Sequence, residues 1–147
     1  MTTLAAPSTE SCKTSRDHLT ASELKLLIEA VKSKGGWYSY RNSVLILIIY
    51  RHGLRRTEAA RLRWSDVDLK EGTIYIRRIK GSRSGRHPLQ GDEMRALKKL
   101  KRDYAPSPFV FNGNRHTPLS KRTQRVAQIV VRRLGRIRVR VTLFIKL

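Results

Sequence analysis

A chain of 147 residues supports one domain with a modest core, and its single cysteine, Cys12, excludes an internal disulfide and a cysteine-based metal site. The longest apolar run, Val44 to Ile49, falls far short of the ~20 residues of a bilayer helix, so no transmembrane helix is expected. Lys and Arg total 32 against 11 Asp and Glu, and a net charge of +21 points to a polyanionic partner, because such self-repulsion adds nothing to folding.

The charge is unevenly spread. Residues 1–50 carry six basic groups against four acidic, residues 51–100 fourteen against six, and residues 101–147 twelve against one. No amphipathic anchor with a Trp/Phe face accompanies this charge, which favours nucleic acid over a membrane surface.

Residues 1–17 are Ser/Thr-rich, lack apolar periodicity and read as a flexible leader. They have neither the basic start nor the apolar stretch of a secretory signal, so a cytoplasmic address is expected. Thr20-Ala-Ser-Glu23 fits a capping box, followed by Leu24, Leu27, Ile28 and Val31 at helical spacing. Gly35 and Gly36 end that helix. A second helix is expected over Tyr40–His52; apolar on every side around Val44–Ile49, it should be the buried central one, capped by Gly53. A short third helix is expected from Thr57 to Leu62, with Trp64 in the core and Trp64–Asp68 turning the chain out of it.

Thr73–Arg77 is β-branched and aromatic and reads as a strand. Lys80–Gly85 is turn chemistry, and a partner strand returns through Arg86 and His87 to Pro88. The next helix, Asp92–Tyr104, should bury Met94, Leu97 and Leu100. Phe109–Phe111 reads as extended, and a last helix over Ser120–Arg133 should present Val126, Ile129 and Val130 on one side. The fold class expected is α+β, mainly helical with a small antiparallel hairpin or sheet.

Arg55 falls in the turn between the buried helix and the next helix start. An arginine braced there offers a planar fork of donors suited to a phosphate, and Glu58, within the first helical turn, is placed to orient it. His18, His87 and His116 are scattered and suggest no metal site.

The segment GLRRTEAARLRWSDVD, Gly53 to Asp68, resembles the first conserved box of the tyrosine recombinase, or phage integrase, family, which runs G-L-R-x-[ST]-E-x-x-x-L-x-W-x-D-[IV]-[DN]. Lys80 falls in the hairpin where that family keeps a lysine, and Lys80–Leu89 resembles its K-x-x-x-x-R-x-x-P-L pattern with the arginine displaced by one, at Arg86. The hairpin and its His-Pro-Leu ending are especially similar to the fimbrial phase-switch recombinases. His52-Gly-Leu-Arg55 also spells the family's second box, H-x-x-R, but the WSDVD segment after it belongs to the first, so His52 reads as a helix-end histidine.

The resemblance implies a partial tyrosine recombinase catalytic domain over residues 18–134. In that family a tyrosine attacks the scissile phosphate, two arginines stabilise the pentacoordinate phosphate, and a hairpin lysine protonates the departing 5′-oxygen, with no metal or cofactor. Carried over, Arg55 is the first catalytic arginine and Lys80 the general acid, while Arg56, Arg83, Arg86 and His87 contact DNA. Duplex DNA is the partner implied, with a full-length recombinase as a second candidate, and neither a membrane nor a small-molecule substrate is expected.

The family's second arginine box and tyrosine nucleophile have no counterpart in this sequence, where no tyrosine follows Tyr104. The expectation is a truncated recombinase unable to cleave DNA alone, with residues 135–147 a basic, out-of-frame tail and apolar surface left exposed. Two rivals stay open: a non-catalytic basic DNA-binding module, and a general RNA- or ribosome-binding protein.

Overall fold

The computed structural model describes residues 19–36, 38–79, 81–104, 106–113, 117–125 and 127. Cys12, His18, Lys80, His116 and the expected leader and tail lie outside them, as do Val126, Ile129 and Val130.

Among the described residues, helices and a small sheet follow in chain order: α1 (Ala21–Ser33), α2 (Ser39–His52), α3 (Arg56–Arg61), a 3-10 turn at Trp64–Asp66, β1 (Val67–Asp68), β2 (Thr73–Ile76), β3 (Gly85–Pro88) and α4 (Gly91–Asp103). Thr20 caps α1 as its sequence predicts: its hydroxyl accepts from the Glu23 amide, and the Glu23 carboxylate accepts from the Thr20 amide at 2.8 Å. Leu24, Leu27 and Val31 are buried against Ile46 of α2. Gly35 and Gly36 then take positive φ and release the chain.

Helix α2 is the centre of the molecule. Val44, Leu45, Ile46, Ile48 and Ile49 are all buried, and the helix packs against α1 on one side and α4 on the other. Gly53 ends it in the left-handed conformation, φ 60°, donating its N–H to the Ile49 carbonyl. The opposite ends of α2 and α4 meet: Arg51 reaches Asp92 at the start of α4, and Tyr40 reaches the carbonyl of Ala96 further along it, so the two helices run antiparallel.

The sheet has the order β1-β2-β3, antiparallel throughout, with Ile74 opposite His87 and Tyr75 opposite Arg86. Ile74 and Ile76 face the core; Thr73, Tyr75 and Arg86 share the other face. Strand β1 was not anticipated: two residues are too short for an alternating pattern to show, and pairing with β2 holds them extended. In α4, Leu97 and Leu100 are buried as expected, but Glu93 is fully buried in the place foreseen for Met94, which is only half-buried. Trp64 packs on the core without being buried, under the ammonium of Lys101. Phe109 pairs with Arg63 in an isolated bridge, and residues 121–125 and 127 are helical. Among the described residues, the large apolar side chains that stand exposed are Leu26 and Ile79.

Candidate nucleic-acid interface

Leu54, 3% exposed, pins the chain between α2 and α3, and the next residue, Arg55, is the extended residue that starts α3. Packing thus fixes the Arg55 backbone while its side chain stays 45% exposed. Glu58, one turn on, is buried beneath it. One carboxylate oxygen accepts from the Arg55 amide at 2.9 Å and from Arg78 Nη1 at 2.8 Å. The other lies 3.6 Å from Arg55 Nη1 and accepts from the Ile79 amide at 3.4 Å. Burial pushes the Glu58 carboxyl up, but the Arg55 amide, the Arg78 guanidinium and the Ile79 amide outweigh burial and hold it below the ordinary carboxylate range. Glu58 is therefore an anion that joins the start of α3 to the strand leading into the hairpin.

Arg78 went unnoticed in the sequence. Its guanidinium also donates to the carbonyls of Gly53 at 2.9 Å and His52 at 3.1 Å, the C-terminal end of α2, and its amide donates to Ser84 Oγ across the hairpin at 2.9 Å. The available signal was the strand period: Ile74, Ile76 and residue 78 fall on one face, so Arg78 points inward where Arg77 does not. Arg77 instead pairs outward with the buried Asp66 at 2.9 Å.

Of the other residues expected to meet DNA, Arg56, Arg83 and Arg86 are exposed, and Arg86 lies on the open sheet face with a long 3.4 Å contact to Thr73 Oγ1. His87 is half-buried and turned inward: its Nδ1 is 3.3 Å from His52 Nδ1, while His52 Nε2 donates to Glu93 at 3.1 Å. Burial, then the neighbouring His52 and Arg78, lower the His87 pKa. Lys80 lies outside the described residues, so its relation to Arg55 is a proposal. Among the described residues no group of three His, Cys, Asp or Glu side chains could hold a metal, and no helix is long and apolar enough to cross a membrane.

Comparison with known proteins places this arrangement. Residues 17–136 match the phage integrase family. The chain is 40% identical over 111 residues to the type 1 fimbriae regulatory protein FimB of Escherichia coli K12, a match covering 72% of this chain and 54% of that protein. It is 40% identical over 90 residues to FimE of the same strain, covering 61% and 44%. The chain thus spans about half the length of the curated relatives it matches. The crystal structure of XerA recombinase superposes with a TM-score of 0.58 at 25% identity, covering 75% of this chain and 41% of that one. Lambda integrase residues 75–356 bound to DNA share the fold, with a TM-score of 0.57 at 23% identity, covering 79% and 43%. With its Arg55 box intact and its helices and sheet arranged as in these recombinases, the chain belongs to the phage integrase family.

Proposed function

We propose that this chain grips duplex DNA as the first part of a tyrosine recombinase catalytic domain. Residues 18–134 form that part, between the Ser/Thr-rich segment 1–17 and the basic segment 135–147. Arg55 contacts the phosphodiester at the scissile position, and Lys80 on the hairpin supplies the proton to the leaving oxygen. Arg56, Arg83 and Arg86 hold the neighbouring backbone, joined by His87 through the ring nitrogen not turned to His52. Contacts of this kind position a protein on DNA without reading sequence. DNA of the cytoplasm is the substrate, and a full-length recombinase at the same site is a further partner.

One observation carries the proposal. Arg55 is fixed in backbone by Leu54 and Glu58 yet nearly half exposed in side chain, the state a phosphate ligand needs before its phosphate arrives.

The test is equilibrium binding of the 147-residue polypeptide to a fluorescein-labelled duplex and to a structured RNA at matched salt. Duplex DNA should bind more tightly, and Arg55→Ala should weaken that binding about tenfold while lowering the salt slope by about one. Equal affinity of Arg55→Ala and the unmodified protein would remove the proposal's basis, and preference for RNA would favour a general RNA-binding role. On nicked suicide duplexes this polypeptide should form no covalent tyrosyl adduct, and any adduct would refute that expectation.

A further inference from the structure

Two arginines share the buried Glu58 carboxylate, and they do not share it equally. Arg78 approaches at 2.8 Å with its side chain 16% exposed, while Arg55 lies at 3.6 Å with its side chain 45% exposed. Glu58 is a full negative charge with 1% of its side chain exposed, and a buried carboxylate takes the nearest cation it can reach. Arg78 satisfies that demand from behind, on the core side, and is held there by the Gly53 and His52 carbonyls. Those carbonyls belong to the C-terminal end of α2, where the helix dipole also favours a cation.

We propose that Arg78 is a positioning residue for phosphate binding: by balancing Glu58 it keeps the Arg55 guanidinium turned to the phosphate, and by bonding across the hairpin it ties Arg55 to the base of the loop that carries Lys80. This inference rests on the proposed grip of Arg55 on DNA. Arg78 itself never touches the DNA. Without it, Glu58 draws Arg55 down into a close ion pair, and the phosphate loses its donor to a carboxylate on the same protein.

Four variants test this on the fluorescein-labelled duplex, each compared below its own melting temperature as followed by circular dichroism. Arg78→Gln should weaken binding about five- to tenfold and lower the salt slope by about one, as Arg55→Ala does. Lys25→Gln, which removes the same charge from the exposed face of α1, should change affinity by about twofold or less. The double variant Glu58→Gln/Arg78→Gln removes both charges together, leaves no buried ion unpaired, and should regain the slope of the unmodified protein with affinity within about threefold. Arg78→Lys, which keeps the charge, should bind within about threefold of the unmodified protein and keep its salt slope.

A purely structural role would lower the melting temperature of Arg78→Gln and leave the slope of the folded fraction untouched. That result, or a double variant with a slope as low as that of Arg55→Ala, overturns the inference. Should Arg78→Gln not fold, the double variant and Arg78→Lys decide alone. If Arg55→Ala weakens binding and Arg78→Gln does not, this inference fails and the proposed function stands. If Arg55→Ala has no effect, both fail.

Discussion

Arg41 shows at the scale of one residue how an arginine in this chain can be structural rather than functional. It is 4% exposed, its guanidinium donates to the Asn112 carbonyl and twice to Asn42 Oδ1, and it lies over the Tyr38 ring at 4.1 Å. Burial, its largest influence, pulls its pKa down to about 10, with Tyr38 and Tyr104 acting in the opposite direction. The bonds to Asn42 therefore join a charged donor to a neutral acceptor, in the first turn of a helix that has no acidic residue there. Asn42→Asp would turn them into charge-assisted bonds and place a carboxylate at the positive end of α2. The expected gain is about 1 kcal/mol, seen as a higher melting midpoint at neutral pH and absent once the new carboxylate is protonated. A midpoint equal to or below that of the unmodified protein would show that Arg41 is already satisfied by its neutral partners.

At the scale of elements, one cluster joins the end of α2, strand β3 and the start of α4. His52 Nε2 lies 3.1 Å from the buried Glu93 carboxylate, and its Nδ1 lies 3.3 Å from His87 Nδ1, so the two rings and the carboxylate form one chain of contacts. Arg51 closes the group with two 2.6 Å bonds to Asp92 and a 3.6 Å approach to Glu93, and Arg78 acts on His87 from the strand side. The His87 pKa is lowered, so the unfolded chain takes up its proton first, and stability from this group falls as pH drops below its ordinary 6.5. Burial pushes the Glu93 carboxyl up and His52 with the Gln90 amide brings it below its ordinary 4.5; the Arg51 guanidinium holds Asp92 below its ordinary 3.8. Their contribution is present above those values and lost only as the pH falls further. Melting temperatures from about pH 8 to about pH 4 should therefore decline first below about 6.5 and more steeply at the acid end, and His87→Gln should flatten the first part alone. An unchanged first decline in His87→Gln would assign it to another group.

This cluster also marks where the sequence ceased to be legible. The α1 cap was readable because Thr20 and Glu23 are neighbours, and α2 because a run of six apolar residues admits few alternatives. Glu93 looked like an ordinary acid of a helix's first turn, since the partners that make it a buried anion, Arg51 and His52, lie some forty residues earlier. Arg55 was found through its box, and its bracing by Glu58 was foreseen from helical spacing. Arg78 was lost among many exposed arginines, because the strand expected over Thr73–Arg77 stops one residue short of it and its period was not carried on to residue 78.

For the whole molecule the governing quantity is where the charge is available. Arg78 is committed to Glu58 and the end of α2, and Arg41 to Asn42 and Asn112; both are largely out of solvent. Arg83 and Arg86 are exposed, the first in the hairpin loop and the second on the open sheet face. Arg77 reaches solvent too but shares its charge with Asp66. Cations of the exposed kind release DNA counterions on binding, at about 0.9 per phosphate neutralised, while internally committed ones release none. Replacing Arg83 and Arg86 together by Gln should therefore lower the slope of log affinity against log salt by about two, for specific and random duplexes alike, with the melting temperature little changed. Replacing Arg41 should do the reverse, costing stability and leaving the slope where it was. A double variant of the hairpin arginines that kept the full slope would move the DNA to another face of the molecule.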